Sequence, residues 1–91
     1  MKKIERNFKV ADNIVISKIN NESVVLNINT GIYFQTNELG SFIISQLDEY
    51  IDFSTLQERV LQNFDVSVEE CQRDLLQFID KLKEKNILQF Q

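Results

Sequence analysis

The stretch V-V-L-N-I-N-T-G-I-Y-F-Q-T-N, residues 24–37, decides the fold that this sequence predicts. In this stretch an apolar set alternates with a more polar one, the period-2 pattern of a strand with one face on a core. The first set is Val24, Leu26 and Ile28, and the second is Val25, Asn27 and Asn29. The N-T-G that ends this run tolerates positive φ, so the chain can reverse there. A second strand, beginning with I-Y-F, then follows, and it carries more apolar side chains than one buried face requires.

Upstream of this hairpin, the β-branched run at residues 14–19 and the following Asn-Asn predict an additional strand, the first of the sheet, and a turn. Strands at about 14–19, 23–28 and 31–36 would form a three-stranded antiparallel meander. Downstream, the apolar spacing becomes helical at Asn37, and either Thr36 or Asn37 can cap this first helix. Capping patterns begin further helices at Ser54 and Ser67. The third helix should run to about Lys85, with Asn86 in a left-handed turn. The predicted fold class is α+β: a winged-helix-like meander followed by three helices.

Length and composition predict one small domain. The chain has 91 residues, 43% of them hydrophobic, which suits a single modest core. Residues 1–12 are mostly polar and predict a loosely held N-terminal arm, with the domain at 13–91. No apolar run reaches the roughly 18 residues of a membrane span, and a single cysteine suits a reducing compartment. We therefore expect a cytoplasmic protein without a membrane partner.

The residue types that are missing argue against catalysis. There is no histidine, and Cys71 is the only cysteine, so neither a His-assisted nucleophile nor a Cys/His zinc site can be assembled. Gly31 and Gly40 are the only glycines, which excludes a glycine-rich phosphate loop. We expect no enzyme activity, no cofactor and no metal. Cys71 should be a buried core side chain because it falls on the apolar face of the third helix.

The composition of the second strand of the hairpin predicts a sheet edge that is open to pairing with another strand. From Gly31 to Asn37 it has no charged residue and no proline, the features that normally protect an edge strand. Such an edge can accept a peptide as an additional strand. Coverage by the N-terminal arm, or by a second copy in a homodimer, is the alternative.

The third helix has one clear apolar face and one ambiguous residue. On a helical wheel Leu76 lies outside the centre of the stripe, so it either widens the core or walls a groove beside the hairpin. The stripe itself consists of Val68, Cys71, Leu75, Phe78, Ile79 and Leu82.

Several stretches, in this order, resemble the PqqD-like proteins over about residues 13–90. They are L-N-I-N-T-G-I-Y-F-Q-T-N-E-L-G, S-T-L at the second helix, F-D-V, and D-L-L-Q-F-I-D-K-L-K-E-K-N-I-L. This family comprises leader-peptide recognition elements of ribosomally made, modified peptides, including stand-alone members in lasso-peptide clusters. The resemblance implies a non-catalytic chaperone that captures a precursor peptide by strand addition and presents it to a modifying enzyme or leader peptidase.

The resemblance also implies where the leader peptide binds: along the third strand of the meander, in a cleft against the third helix. Asp74, Phe78 and Leu82 would hold that helix in place. Thr36 departs from the apolar residue usual in the family, and Asn86 departs from its glycine. Carried over to this sequence, the binding residues are Gly31, Ile32, Tyr33, Phe34, Gln35 and Thr36 on the strand, with Arg73, Leu76, Gln77, Asp80 and Lys83 on the helix.

Two other functions stay open. A winged helix can bind DNA. From Glu38 to Asp80, however, the sequence has ten acidic residues and only two basic ones, Arg59 and Arg73. A basic surface for phosphates is therefore missing, and we expect no nucleic-acid partner. The chain could instead be a structural subunit docked permanently to an enzyme through the same edge. Lys81, Lys83, Lys85 and Arg73 could contact an acidic leader, although solvated helix charges are the more ordinary explanation.

Overall fold

The computed structural model describes residues 6–91, which form five strands and three helices. In chain order these are β1 (Phe8–Val10), β2 (Ile14–Ile19), β3 (Glu22–Asn27), β4 (Tyr33–Thr36), α1 (Glu38–Ser45), α2 (Phe53–Asn63), α3 (Val68–Glu84) and β5 (Leu88–Phe90). The predicted α+β fold, a three-stranded meander followed by three helices, is confirmed.

The meander has the strand order β2-β3-β4, with both neighbouring pairs antiparallel. Asn20 and Gly31 take positive φ values of 58° and 75° in the two turns, as their residue types predict. The second turn begins earlier than expected because the Asn27 side chain organises it. Asn27 Oδ1 accepts hydrogen bonds from the backbone N–H groups of Asn29 and Thr30, so β3 ends at Asn27 and β4 begins at Tyr33.

The helix caps follow the sequence at two of three positions. Asn37 and Ser67 cap α1 and α3 by accepting from the N–H groups of Gly40 and Glu70, and Asn86 ends α3 with a φ of 58°. The prediction that Ser54 caps α2 is wrong. Asp52 is the cap, because its carboxylate accepts the Thr55 N–H at 2.7 Å, and Ser54 lies inside the first turn.

Asp52 should make the stability of α2 depend on pH. Hydrogen bonds from Thr55 hold the pKa of Asp52 below its ordinary value of 3.8. The ionised cap therefore stabilises the fold fully above pH 3.8, and this contribution is lost as pH falls through the lower folded pKa. We expect Asp52→Ala to lower the urea midpoint at pH 7, and the gap to wild type to narrow below pH 3.8. Ser54→Ala is the matched control; an equal loss in both variants would contradict this cap.

A second sheet ties the two ends of the described chain together. β1 and β5 pair antiparallel, with Phe8 opposite Phe90, and Phe8 also exchanges backbone hydrogen bonds with Ile51. Phe8 has an exposed fraction of 0%. Residues 8–10, which the sequence assigned to a loose arm, thus belong to the packed fold, because an apolar anchor and six paired residues hold them there. Residues 1–5 of the predicted arm lie outside the described residues.

The core lies between the meander and the helices, and α3 contributes Cys71, Leu75, Ile79 and Leu82 to it. Cys71 is buried as predicted, and burial raises the pKa of its thiol. The prediction of a buried stripe is wrong for Val68, which is mostly exposed in the first turn of α3. Further along the stripe, Phe78 is only partly buried. Within residues 6–91, no helix combines the length and the apolar character that crossing a membrane requires.

Candidate functional site

The outer edge of β4 carries backbone groups that point away from the sheet. The Asn27 N–H donates to the Ile32 carbonyl, and the register then places Phe34 and Thr36 opposite Val25 and Ser23. Antiparallel strands alternate between residues that bond to the neighbour and residues that do not. Tyr33 and Gln35 therefore direct their N–H and C=O groups outward, and within residues 6–91 no strand pairs with this edge.

Side chains on β4 divide between two environments. Phe34 and Thr36 face the helices, where Phe34 packs on the core and Thr36 is buried. Tyr33 points to the opposite face and is 70% exposed, and Gln35 on that face donates to Glu22 Oε1. A strand added to this edge would follow the same alternation, so every second side chain of it would point toward the helices.

Helix α3 lies near the β4 edge of the sheet and directs two lysines toward Phe34 on that strand. The Lys81 and Lys85 ammonium groups lie 5.0 Å and 5.6 Å from the centroid of the Phe34 ring. Both distances fall within the range of cation–π contacts. The free edge of β4 and the lysine flank of α3 thus form two walls of one cleft, which we call the β4–α3 cleft.

The cleft continues into a hollow between α3 and the start of α1. This hollow has a volume of about 280 Å³. Gly40 permits the close packing beside it, because a Cβ at this position would lie 3.0 Å from Thr36 Cβ and 3.1 Å from the Phe78 ring. The residues that line the hollow are Asn37, Leu39, Gly40, Ile43, Asp74, Gln77, Phe78 and Lys81.

Thr36 carries a buried hydroxyl with no hydrogen-bond partner among residues 6–91. The burial of an unpaired hydroxyl costs about 1–3 kcal/mol. Its neighbours Gly40 and Phe78 border the hollow. The departure from the family pattern that the sequence showed at Thr36 therefore places an unsatisfied polar atom at this end of the cleft.

Of the predicted helix residues, the structure brings only Gln77 to the cleft walls. Viewed down the axis of α3, Lys81 and Lys85 lie within about 60° of Phe78. The other four predicted helix residues lie at least about 140° from Phe78. They are Arg73, Leu76, Asp80 and Lys83. The Lys83 ammonium lies over the Phe90 ring of β5 instead, and Arg73 forms an ion pair with Asp74. The resemblance implies the outer flank of α3 as the wall, but the packing of the helix turns the Phe78 flank toward β4.

The strand prediction agrees more closely with the geometry. Tyr33, Phe34, Gln35 and Thr36 form β4 itself, whereas Gly31 and Ile32 belong to the turn that leads into it. Lys81 and Lys85 were not among the binding residues that the resemblance implied, although the sequence offered both as possible contacts of an acidic leader. Their i, i+4 spacing was a signal that both reach the same surface, but the sequence could not show that the surface includes Phe34.

Charge at the cleft is locally positive on a chain that is negative overall. The net charge is −4, yet Lys81 and Lys85 have no ion-pair partner within residues 6–91, where the ion pairs are Lys9–Asp12 and Arg73–Asp74. The described part of the chain also contains no group of three or more His, Cys, Asp or Glu side chains that could hold a metal ion.

Comparison with known proteins identifies the family. Residues 22–88 match the sequence model of the family described as Coenzyme PQQ synthesis protein D (PqqD). The chain belongs to the PqqD family. This match runs from β3 to the first residue of β5, so it includes both walls of the cleft. The resemblance that the sequence predicted is thereby confirmed. No curated protein matches the chain.

Two solved structures show the same fold as this PqqD family member. TbiB1, solved in complex with the TbiA(beta) leader peptide, has a TM-score of 0.81 and 31% identity over 89% of this chain and 94% of that chain. A lasso peptide synthetase B1 complexed with the leader peptide has a TM-score of 0.76 and 20% identity, over 90% and 96% of the two chains. At 20% identity the second likeness shows the fold alone.

Proposed function

We propose that this chain is a non-catalytic protein that binds the leader segment of a precursor peptide as an additional strand on β4. The outward backbone groups of Tyr33 and Gln35, at an edge next to the β4–α3 cleft, are the observation that carries the proposal. The similarity to TbiB1, which was solved with a leader peptide, supports it. The chain would then present the peptide to a modifying enzyme or leader peptidase in the cytoplasm.

Backbone hydrogen bonds at the β4 edge would hold the peptide, and side-chain contacts in the cleft would select among peptides. An added strand could form about four ladder hydrogen bonds with Tyr33 and Gln35, each contributing about 1 kcal/mol. Ordering a flexible peptide costs about 2–5 kcal/mol, which offsets most of that gain. Side chains of the peptide that enter the cleft beside Phe34 and Thr36 must therefore supply the remaining affinity. A homodimer through this edge would use the same backbone groups and would compete with the peptide.

Titration of labelled leader peptides tests this proposal. Leader segments of precursors encoded beside this gene, carrying fluorescein, should give saturable anisotropy changes with the purified protein. Phe34→Ala should weaken binding more than tenfold, because it removes the ring that forms the cleft floor; a buried aromatic contact contributes about 2 kcal/mol. Tyr33→Ala, on the opposite face of the same strand, should change affinity less than about fivefold.

Thermal unfolding of both variants separates lost binding from lost folding. If no leader binds and duplex DNA binds with a steep salt dependence instead, the chaperone function is wrong and the DNA-binding alternative returns. Equal losses in the two variants would contradict a peptide that is bound against the helix side of β4.

A further inference from the structure

The two lysines on α3 converge on one aromatic ring. The ammonium groups of Lys81 and Lys85 both lie within 6 Å of the Phe34 centroid, although they come from successive turns of the helix. Two like charges repel each other, and the ring offers each ammonium group a cation–π contact but no countercharge. An anion placed between the ammonium groups would remove the repulsion.

No acidic side chain of the described residues supplies that anion. Asp74, the acid that lines the hollow near Lys81, forms its ion pair with Arg73 at 3.7 Å. Acidic residues outnumber basic ones by 14 to 10 in the whole sequence, so two unpaired lysines at one point are a local reversal of the overall charge. The chemistry expected of a ligand at this point is therefore a carboxylate.

Strand geometry brings one peptide side chain to the same place. In an antiparallel pair, directly opposite residues point to the same face of the sheet, with Cβ atoms about 4.5–5.5 Å apart. Because Phe34 faces α3, the peptide residue opposite Phe34 would also face α3. The residues before and after it in the peptide would point to the other face, toward Tyr33 and Gln35.

We propose that Lys81 and Lys85 form a carboxylate clamp, which selects peptides with an aspartate or glutamate at the position opposite Phe34. This inference rests on strand addition to β4 and adds a requirement for one acidic residue in one register. Long-range attraction between an acidic peptide and a basic surface would be insensitive to register, whereas the clamp distinguishes an acid opposite Phe34 from an acid one residue away.

Neutralising the lysines measures the clamp. Lys81→Gln and Lys85→Gln should each weaken leader binding about threefold, and the double variant about tenfold, as expected for partly exposed ion pairs. Lys18→Gln also removes one positive charge, but from β2 at the opposite edge of the meander, and should leave affinity within about twofold of wild type. The double arginine variant, Lys81→Arg with Lys85→Arg, should restore binding because it keeps both charges.

A peptide scan identifies the acidic partner. Each acid of the leader peptide is changed singly to its amide, Asp→Asn or Glu→Gln, and titrated into wild type and into the double glutamine variant. One position should lose about tenfold with wild type and little with the variant, and its neighbours should lose nothing in either protein.

The outcomes separate the clamp from the proposed function. If wild type binds the leader but the double glutamine variant binds equally well, if all acids contribute alike, or if the bound leader contains no acid, the clamp is wrong and strand addition stands. If wild type binds no leader, the proposed function itself fails, and the clamp fails with it.

Discussion

Proline at position 35 is expected to abolish leader binding while leaving the fold intact. The Gln35 N–H points to the free edge of β4, where it would donate the central hydrogen bond to an added strand. Proline has no N–H, and its ring would occupy the space that the peptide carbonyl needs. Sheets tolerate proline on edge strands when the missing N–H faces solvent. We expect at least a hundredfold loss of affinity for labelled leader peptide by anisotropy.

Two matched variants isolate the backbone effect. Gln35→Ala also removes the side-chain hydrogen bond to Glu22 but keeps the N–H, so it should bind nearly as well as wild type. Lys18→Pro places proline on the other free edge, at a residue of β2 whose N–H also points outward according to the β2–β3 register. It should not affect binding. Retained binding in Gln35→Pro, or an equal loss in Lys18→Pro, would show that β4 is not where the peptide adds.

Local signals predicted the meander and the helices. Alternating side chains around an N-T-G turn located β3 and β4, and Ser67 and Asn37 cap helices by contacts within three residues. The face that the alternation predicted for the core is wrong, because β3 buries Val25 and Asn27, and Ile28 directly after it is 58% exposed. The pairing of β1 with β5 joins residues about 80 positions apart through strands of only three residues. No periodic pattern marks such short strands. Their formation depends on the position of Phe8 in the core, which the sequence alone does not reveal.

The candidate site was predictable on the strand but not on the helix. The absence of charge and proline from residues 31–37 indicated an open edge, and β4 occupies such an edge. A helical wheel, by contrast, gives the centre of the buried stripe and leaves both flanks equivalent. Which flank faces β4 depends on how α3 packs against α2 and on the contact of Phe78 with Gly40. The sequence named Lys81 and Lys85 only as possible contacts of an acidic leader, and their position beside Phe34 emerged from the structure.

Phe8 shows how strongly the start of the described chain is held. Its ring is fully buried and lies 6.0 Å from the ring of Phe90, while its backbone bonds to Ile51 in the connection between α1 and α2. A loosely held arm would contribute little to stability, because its residues could leave without opening a cavity. A fully buried Phe contributes through both the transfer of its ring from water and the cavity that its removal leaves.

Phe8→Ala should consequently reduce the free energy of unfolding by about 3–5 kcal/mol, a large share of the roughly 5–15 kcal/mol that holds a domain of this size. With a urea dependence of about 1–3 kcal/mol per molar, the midpoint should fall by about 2 M in equilibrium unfolding followed by circular dichroism. Ile19→Ala is the matched control, because that side chain is 62% exposed on an edge strand and should cost less than about 0.5 kcal/mol. Similar midpoints for the two variants would mean that Phe8 is not held in the core, and that the arm predicted from the sequence extends beyond β1 after all.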